Sequence, residues 1–538
     1  MTTALNPRLG AGLLEHARLQ PARTALTVGR RDYSYEEAVD TARRWASLLV
    51  EAAGGRPGRV GVFAYRSEAS YLGVAAALFA GAAFVPLNRK FPVERTRSML
   101  ERAQVDALIV DAASLPALPD VLRGLRRKPV VLLADVVRSE AGELGPDVRV
   151  LDAMDLAIAQ PLLQLPAVAA DDIAYLLFTS GSTGTPKGVP VTHGNVRAFL
   201  DANQERYRIT ADDRLTQTFD QTFDLSVFDL FMAWENGARL CAMDPLEIIA
   251  PAKYLERNAI TVWFSVPSVG AVLRKRGALK PGSMPTLRWS LFCGEPLPRA
   301  TAEAWQAAAP RSTVENLYGP TELTVACTVH RWDPATSPAA CVHENVPIGR
   351  PYQGLQPLVV DEELNPVAAG ESGELCMAGA QTTPGYWQAP DLTAERYFRH
   401  GGRTYYRTGD LVRLQDGEYV CLGRNDQQVK VGGHRVELGE IEAVLRRAGA
   451  VEAVALLWPD PDTLTAVVSG VPNPGPLAAA CEAALPVYMT PRSVRLVDEM
   501  PVNANGKVDR AALRRLLDSP ADADRAPTPP PTRRKGLA

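Results

Sequence analysis

Short apolar runs recur along the first half of the chain, separated by stretches whose apolar positions have helical spacing. The runs are Ala25–Val28, GRVGVFA (59–65), AFVPL (83–87), ALIV (107–110), PVVLLA (129–134), IAYLLF (173–178), TVWFSV (261–266) and LRWSLF (287–292). Short apolar runs bounded by turn residues predict buried strands. The helical patterns, such as the Ala-rich segment Tyr71–Ala80, predict connecting helices, and the alternation points to an α/β fold with largely parallel sheets. From about Gly373 the texture changes. Shorter strand candidates, GELCMAG (373–379), YVCLG (419–423) and QVKVGG (428–433), are separated by turn residues, and GEIEAVLRRAG (439–449) has the spacing of an amphipathic helix. The end, from about 518 to 538, is rich in Pro and Ala and almost free of large apolar residues, which predicts a disordered tail.

Composition narrows the function classes. A chain of 538 residues holds more than one folded unit. Its net charge of −3 gives no broad electrostatic reason to expect nucleic acid or an anionic membrane as partner. No apolar run is long enough to cross a bilayer, and the N-terminus lacks the basic start and apolar core of a secretory signal. The 7 cysteines are scattered from Cys241 to Cys481 without a C-x-x-C pair, which reads as reduced thiols of a cytoplasmic protein. The 6 histidines are equally scattered, so a structural zinc site has no support.

The densest chemistry lies in LLFTSGSTGTPKGVPVTH (176–193). An apolar strand ends at Phe178 and gives way to small and hydroxylated residues. Gly181 and Gly184 let an anion approach the backbone. The hydroxyls of Thr179, Ser180, Ser182 and Thr183 can donate to phosphate, and Lys187 supplies positive charge. The glycine spacing is not that of the common ATP-binding P-loop, and no Ser or Thr follows the lysine. Two other readings of the residues stand beside a phosphate loop: a flexible surface loop, and a Ser–Lys nucleophile of amidase type.

TSGSTGTPKG resembles the phosphate loop of the adenylate-forming enzymes, the superfamily of acyl-CoA synthetases, luciferases and nonribosomal peptide adenylation domains. Further motifs of that family follow in order: LFAGAAFVPLN (78–88), FDLSVFDLF (223–231), NLYGPTELT (316–324), GELCMAGAQTTPGYW (373–387), YRTGDLV (406–412), LGRNDQQVKVGGHRVELGEIE (422–442) and NANGKVDR (503–510). The resemblance covers roughly residues 10–515. It implies a large N-terminal domain of stacked β-sheets and helices (1–425) and a small mobile α+β lid domain (426–517), with 518–538 as tail. It also implies ATP and Mg²⁺. The 179–187 loop would hold the departing phosphates, Thr321 the α-phosphate and Glu322 the metal. Asn316, Tyr318 and Gly319 would surround adenine, and Asp410 would accept the ribose hydroxyls. Arg424 would reach phosphate or ribose, Asp426 would be the hinge, and Lys507 would be the main catalytic cation. Gly432 and Gly433 would let a phosphopantetheine arm pass.

By the same resemblance, the acid to be activated is read from FDLSVFDLF. Asp224 after Phe223 would pair with a substrate ammonium, since a buried charge is costly without a partner. Read alone, Asp224 is equally a helix N-cap. The remaining pocket positions by motif anchoring are Leu225, Phe228, Ser265, Leu291, Cys293, Gly294, Leu317, Val325 and Ala326. None is charged and all but Ser265 are apolar or glycine, so the expected side chain is small to medium and uncharged, with proline or alanine leading. LFCGEPLP (291–298), WFSVPS (263–268) and MAWENGA (232–238) are similar to D-alanine– and prolyl-carrier protein ligases. No carrier motif is visible in the chain. The implied partner is therefore a separate phosphopantetheine-bearing peptidyl carrier protein, with free CoA, as in an acyl- or aryl-CoA ligase, as the alternative acceptor.

Overall fold

The computed structural model describes residues 7–181, 185–471, 473–501 and 508–518. Ser182, Thr183, Gly184 and Lys507 of the expected site, and residues 519–538, lie outside the described residues. Asp518, which the sequence places in the tail, is the C-cap of the helix Arg510–Leu517. The chain divides into two units. The first comprises the residues up to Arg89 with Thr96–Phe178 and Gly188–Asn425. The second comprises Lys90–Arg95, Thr179–Lys187 and the residues from Asp426 onward.

In the first unit the apolar runs become strands of two large sheets. Among the described residues one sheet has 7 strands, in the order Val150–Leu151, Val130–Leu133, Ala107–Val110, Arg59–Phe63, Ala83–Leu87, Ile173–Thr179, Lys187–Thr192. Its central pairings are parallel. Every residue of Ala83–Leu87 and Ala107–Val110 is buried, which explains their unbroken apolar character. The helix Glu68–Phe79 is buried from Ala69 onward and correspondingly apolar all round. The helix Tyr35–Ala53 is instead one-sided. It buries Tyr35, Ala38, Val39, Ala42, Trp45, Ala46 and Leu49, and starts at a reciprocal capping box between Ser34 and Glu37.

The other large sheet has 9 strands among the described residues: Arg350–Pro351, Thr328–Arg331, Thr313–Tyr318, Trp289–Phe292, Val262–Ser265, Arg214–Gln217, Arg239–Ala242, Thr24–Val28 and Arg31–Ser34. It is parallel through its middle and turns antiparallel where Thr313–Tyr318 meets Thr328–Arg331. The sheet separates two apolar clusters. Phe264, Leu291 and Leu317 belong to the larger, and Trp263, Phe292 and Trp305 to the smaller. An antiparallel sheet completes the unit, with Ser372–Ala378 and Arg403–Gln415 at its centre and Glu418–Arg424 on one side.

The second unit pairs the hairpin Gln428–Val431/His434–Glu437 with a sheet of Glu452–Leu457, Leu464–Ser469 and Ser493–Leu496. Gly432 and Gly433 form the hairpin turn at φ 54° and 82°, the left-handed pair a two-residue turn demands. The helix Leu438–Arg447 packs Ile441, Val444 and Leu445 into this unit's own core. No helix among the described residues is long and apolar enough to cross a membrane.

Candidate active site

The strand Thr313–Tyr318 ends the parallel part of its sheet and carries three of the expected residues. Period two puts Asn316 and Tyr318 on one face and Leu317 on the other. Asn316 donates its Nδ2 to the carbonyls of Val346 (3.3 Å) and Pro347 (2.9 Å), while its buried Oδ1 has no partner among the described residues. That orphan acceptor suits an exocyclic amine such as adenine's. Tyr318 donates its hydroxyl to Asp410 Oδ2 at 2.6 Å, and Arg424 donates Nη1 to Asp410 Oδ1 at 2.7 Å. Each carboxylate oxygen keeps a second lone pair for ribose. Gly319 follows because a Cβ there would lie 2.5 Å from Ala326 Cα.

Glu374 ties this region together. Its carboxylate accepts from the Gly409 amide (2.9 Å), the Arg407 guanidinium (2.7 Å) and Asn425 Nδ2 (3.2 Å). The same buried carboxylate therefore holds the backbone beside Asp410 and the last residue of the first unit.

Thr321 and Glu322 lie in the short 3₁₀ turn Thr321–Leu323. Glu322 is wholly buried, and Tyr386 donates its hydroxyl to Glu322 Oε1 at 2.7 Å. No group of three or more His, Cys, Asp or Glu converges among the described residues. One fixed carboxylate is nevertheless the protein share that Mg²⁺ takes when phosphate and water complete its shell. After the turn, Thr324 and Val325 adopt φ 58° and 71°. For a β-branched residue such as Val325 this is an outlier, of the kind that costs about 1–3 kcal/mol and persists only where the surroundings enforce it.

Asp224 stands at the N-cap position of the helix Leu225–Glu235 but accepts no capping hydrogen bond. The helix-cap reading is therefore not what this carboxylate does. It is buried, and Oδ2 has no partner among the described residues. Burial pushes the carboxyl up to about 6, against the pull of the Thr321 hydroxyl and the Val325 and Leu225 amides, while the neighbouring Glu322 adds to the rise.

Leu225, Phe228, Leu291, Cys293, Leu317, Val325 and Ala326 share one buried apolar cluster, with Phe223 packed against it. Gly294 follows Cys293 at φ 98°. Ser265 departs from expectation. Its hydroxyl accepts from Trp263 Nε1 at 2.9 Å, on the side of the sheet that faces the smaller cluster. Phe264 instead faces the larger cluster, with the other expected pocket residues. It pairs in register with Leu291 and meets the Phe228 ring at 5.1 Å. Strict alternation along TVWFSV would have identified it. On that side of the strand the cluster thus receives an aromatic ring and no hydroxyl from this position. Glu374, Gln381 and Tyr386 were also given no role by the sequence, although all three lie inside the quoted GELCMAGAQTTPGYW stretch.

The loop residues Thr179–Gly181 and Lys187 belong to the second unit. Within it, Ser180 donates its hydroxyl to the Arg435 carbonyl at 2.7 Å, and the Gly181 amide donates to Glu440 Oε2 at 3.3 Å. Glu440 also pairs with Arg95 at 2.6 Å. The loop amide thus already receives an anionic oxygen. Thr179 Oγ1 is buried and has no partner among the described residues, and Lys187 is buried. Asp426 accepts from the Gln428 amide at 3.1 Å.

Residues 13–387 match the family model described as "AMP-binding enzyme". The chain is 36% identical over 508 residues to the L-proline–[L-prolyl-carrier protein] ligase of Streptomyces coelicolor, covering 92% of this chain and 93% of that one. It is 35% identical over 517 residues to novobiocin biosynthesis protein H of Streptomyces niveus, covering 92% and 80%. Among solved structures, the Vibrio cholerae adenylation domain AlmE, in complex with glycyl-adenosine-5′-phosphate, superposes with a TM-score of 0.85 at 30% identity, covering 96% of this chain and 99% of that one. With a family model matched over residues 13–387 and relatives 35–36% identical across most of both chains, the chain belongs to the AMP-binding, adenylate-forming enzymes.

Proposed function

We propose that the protein activates a small amino acid with an uncharged side chain, proline or alanine leading, as its aminoacyl adenylate, and passes it to the phosphopantetheine thiol of a separate carrier protein. The observation that carries this reading is Asp224: a buried carboxylate with an unpartnered oxygen, next to an otherwise apolar wall. Such a group calls for a cation, and an α-ammonium is the cation an amino acid brings. Phe264 and Phe228 narrow the wall and favour a compact side chain. The likeness to a prolyl-carrier protein ligase over nearly the whole chain supports the same reading.

In this mechanism Asp224 holds the ammonium, which aims the substrate carboxylate toward the Thr321–Glu322 turn. Asn316 and Tyr318 hold adenine, and Asp410, steadied by Arg424 and by Glu374 through Gly409, holds ribose. Thr321 donates to the α-phosphate, and the 179–187 loop with Lys187 receives the departing pyrophosphate. Lys507 bridges the attacking carboxylate and the phosphate oxygens as negative charge gathers. Glu322 would hold Mg²⁺, which when bound spreads the phosphate charge. Asp426 is the pivot on which the 426–517 domain turns between the two half-reactions, with Gly432 and Gly433 beside the incoming arm.

A panel of amino acids in pyrophosphate exchange tests the first half. Small apolar amino acids are expected to exchange, and acidic or basic ones are not. The second half is read as transfer of label to holo-carrier protein against transfer to free CoA. Preferential CoA loading would place the protein with the CoA ligases instead.

The elevated Asp224 carboxyl adds a pH signature. Below about 6 the empty site is increasingly protonated and loses the charge that binds ammonium. The KM for amino acid is therefore expected to be flat above that pH and to rise about tenfold per unit below it. The ATP KM is expected not to follow. Initial rates of pyrophosphate release between pH 4.5 and 8 check this.

A further inference from the structure

Two of the donors expected to receive phosphate are already engaged. The Ser180 hydroxyl donates to the Arg435 carbonyl at 2.7 Å, and the Gly181 amide donates to Glu440 Oε2 at 3.3 Å. The two acceptors are close in the chain, Arg435 on the strand His434–Glu437 and Glu440 in the first turn of the helix Leu438–Arg447. All four residues, together with Arg95, belong to the second unit. Glu440 is buried, and its other oxygen accepts from the Arg95 guanidinium at 2.6 Å. Arg95 is buried as well, and its Nε has no partner among the described residues. A buried carboxylate needs cations and donors around it, and here Arg95 and the loop amide are those groups. The loop itself is folded tightly at this point, because a Cβ on Gly181 would lie 2.2 Å from the Thr185 carbonyl oxygen. A full negative charge, neutralised from behind by an arginine, therefore sits on a backbone amide of the phosphate loop.

We propose that Glu440 is a resident anion of the phosphate loop: it holds the Gly181 amide while the loop is empty and competes with pyrophosphate for it, so that the first product is displaced rather than retained. The inference rests on the reading of residues 179–187 as the loop that receives the departing phosphates. Two anions on one N–H repel each other strongly. A phosphate oxygen entering the loop therefore breaks a buried, charge-assisted hydrogen bond, and the return of Glu440 drives pyrophosphate out. The loop's affinity for phosphate is lowered by the strength of that bond. Such a lowering suits this reaction, because retained pyrophosphate would attack the adenylate and re-form ATP and free amino acid. Glu440 lies in the 426–517 domain, so its departure and return accompany the turn of that domain between the half-reactions.

The test is Glu440→Gln, which keeps the shape and removes the charge. The KM for pyrophosphate in the exchange reaction is expected to fall about tenfold, as is the inhibition constant of pyrophosphate against carrier loading. The KM for ATP is expected to fall in the same direction, and the KM for amino acid to stay within about twofold. A merely structural loss would raise the phosphate constants, so the sign decides. Thermal unfolding gives a second reading. The empty variant is expected to melt below the parent, since Arg95 has lost its carboxylate. It is nevertheless expected to gain more from added magnesium pyrophosphate than the parent does, as tighter binding requires. A pyrophosphate KM that is unchanged or raised in the folded variant, or an equal thermal gain in the two enzymes, would overturn the proposal. Lys187→Ala tests the underlying reading by itself: a pyrophosphate KM that it leaves unmoved would overturn the assignment of the loop instead. Should Glu440→Gln fail to fold, Glu440→Asp draws the carboxylate back by one methylene and is expected to shift the same constants in the same direction by less. A Glu440→Asp enzyme matching the parent would equally overturn the proposal.

Discussion

Replacing Lys507 with alanine is expected to slow aminoacyl-adenylate formation by about two to three orders of magnitude while leaving amino-acid and ATP binding nearly intact. The attack of one anion on another gathers charge between the substrate carboxylate and the phosphate oxygens. A lysine in Asn505-Gly506-Lys507, by the resemblance of NANGKVDR to the family's C-terminal lysine motif, supplies the cation there. Because the interaction belongs to the transition state, kcat is expected to fall and KM to hold. Transfer from a chemically prepared aminoacyl adenylate to holo-carrier protein is expected to survive, since that half-reaction needs no such cation. Pyrophosphate release and single-turnover transfer on one preparation check both halves. Near-normal pyrophosphate release would remove Lys507 from the mechanism.

The second large effect is expected at Asp224. Asp224→Asn keeps the shape and deletes the charge that faces the ammonium. Truncating one side of a buried charge pair costs about 2–5 kcal/mol, which corresponds to about 30- to 5,000-fold in kcat/KM for the amino acid. The KM for ATP is expected to change little, because Asn316, Tyr318 and Asp410 lie on other elements. A short carboxylic acid without the amino group is expected to lose far less, or to gain. It no longer requires a buried charge to be paired, and Asn removes the cost of leaving Asp224 alone. Equal losses for the two substrates would make Asp224 a structural residue.

Much of the fold was legible because its strands are buried on both faces. AFVPL, ALIV and IAYLLF read as continuous apolar runs and became strands of one sheet. The antiparallel return Thr328–Arg331 was not legible. It is short, and its polar residues pair outside the strand, His330 with the distant Glu418 and Arg331 with Glu315 on the neighbouring strand. Motif anchoring named residues that fall in one unit: Asn316, Tyr318, Asp410, Arg424, Asp224 and apolar residues of its largest cluster. It slipped by one position at Ser265, and in a strand a slip of one reverses the face. Glu440 and Glu374 escaped because nothing local marks them. Their importance lies in which distant groups they reach, and only the fold brings those groups near. The left-handed turn at Val325 escaped for the opposite reason, since the local preference of valine argues against it.

Phe228 carries a consequence for how this pocket can change. The proposed pocket takes its ring as part of the wall, and that ring packs edge-on against Phe199 at 6.2 Å, Tyr207 at 5.4 Å and Phe264 at 5.1 Å, deep in the unit's largest core. Pocket depth on that side is therefore also a quantity of core packing. A smaller residue there lengthens the room for substrate and opens a void among aromatic rings, a change that costs about 3–5 kcal/mol for Phe→Ala in a well-packed interior. Leu317 and Ala326 carry no ring and are not partners in these edge-on contacts. A lineage drifting from a compact substrate to a bulkier one meets less resistance at those two walls than at Phe228, where a new specificity has to arrive together with compensating bulk from its aromatic neighbours.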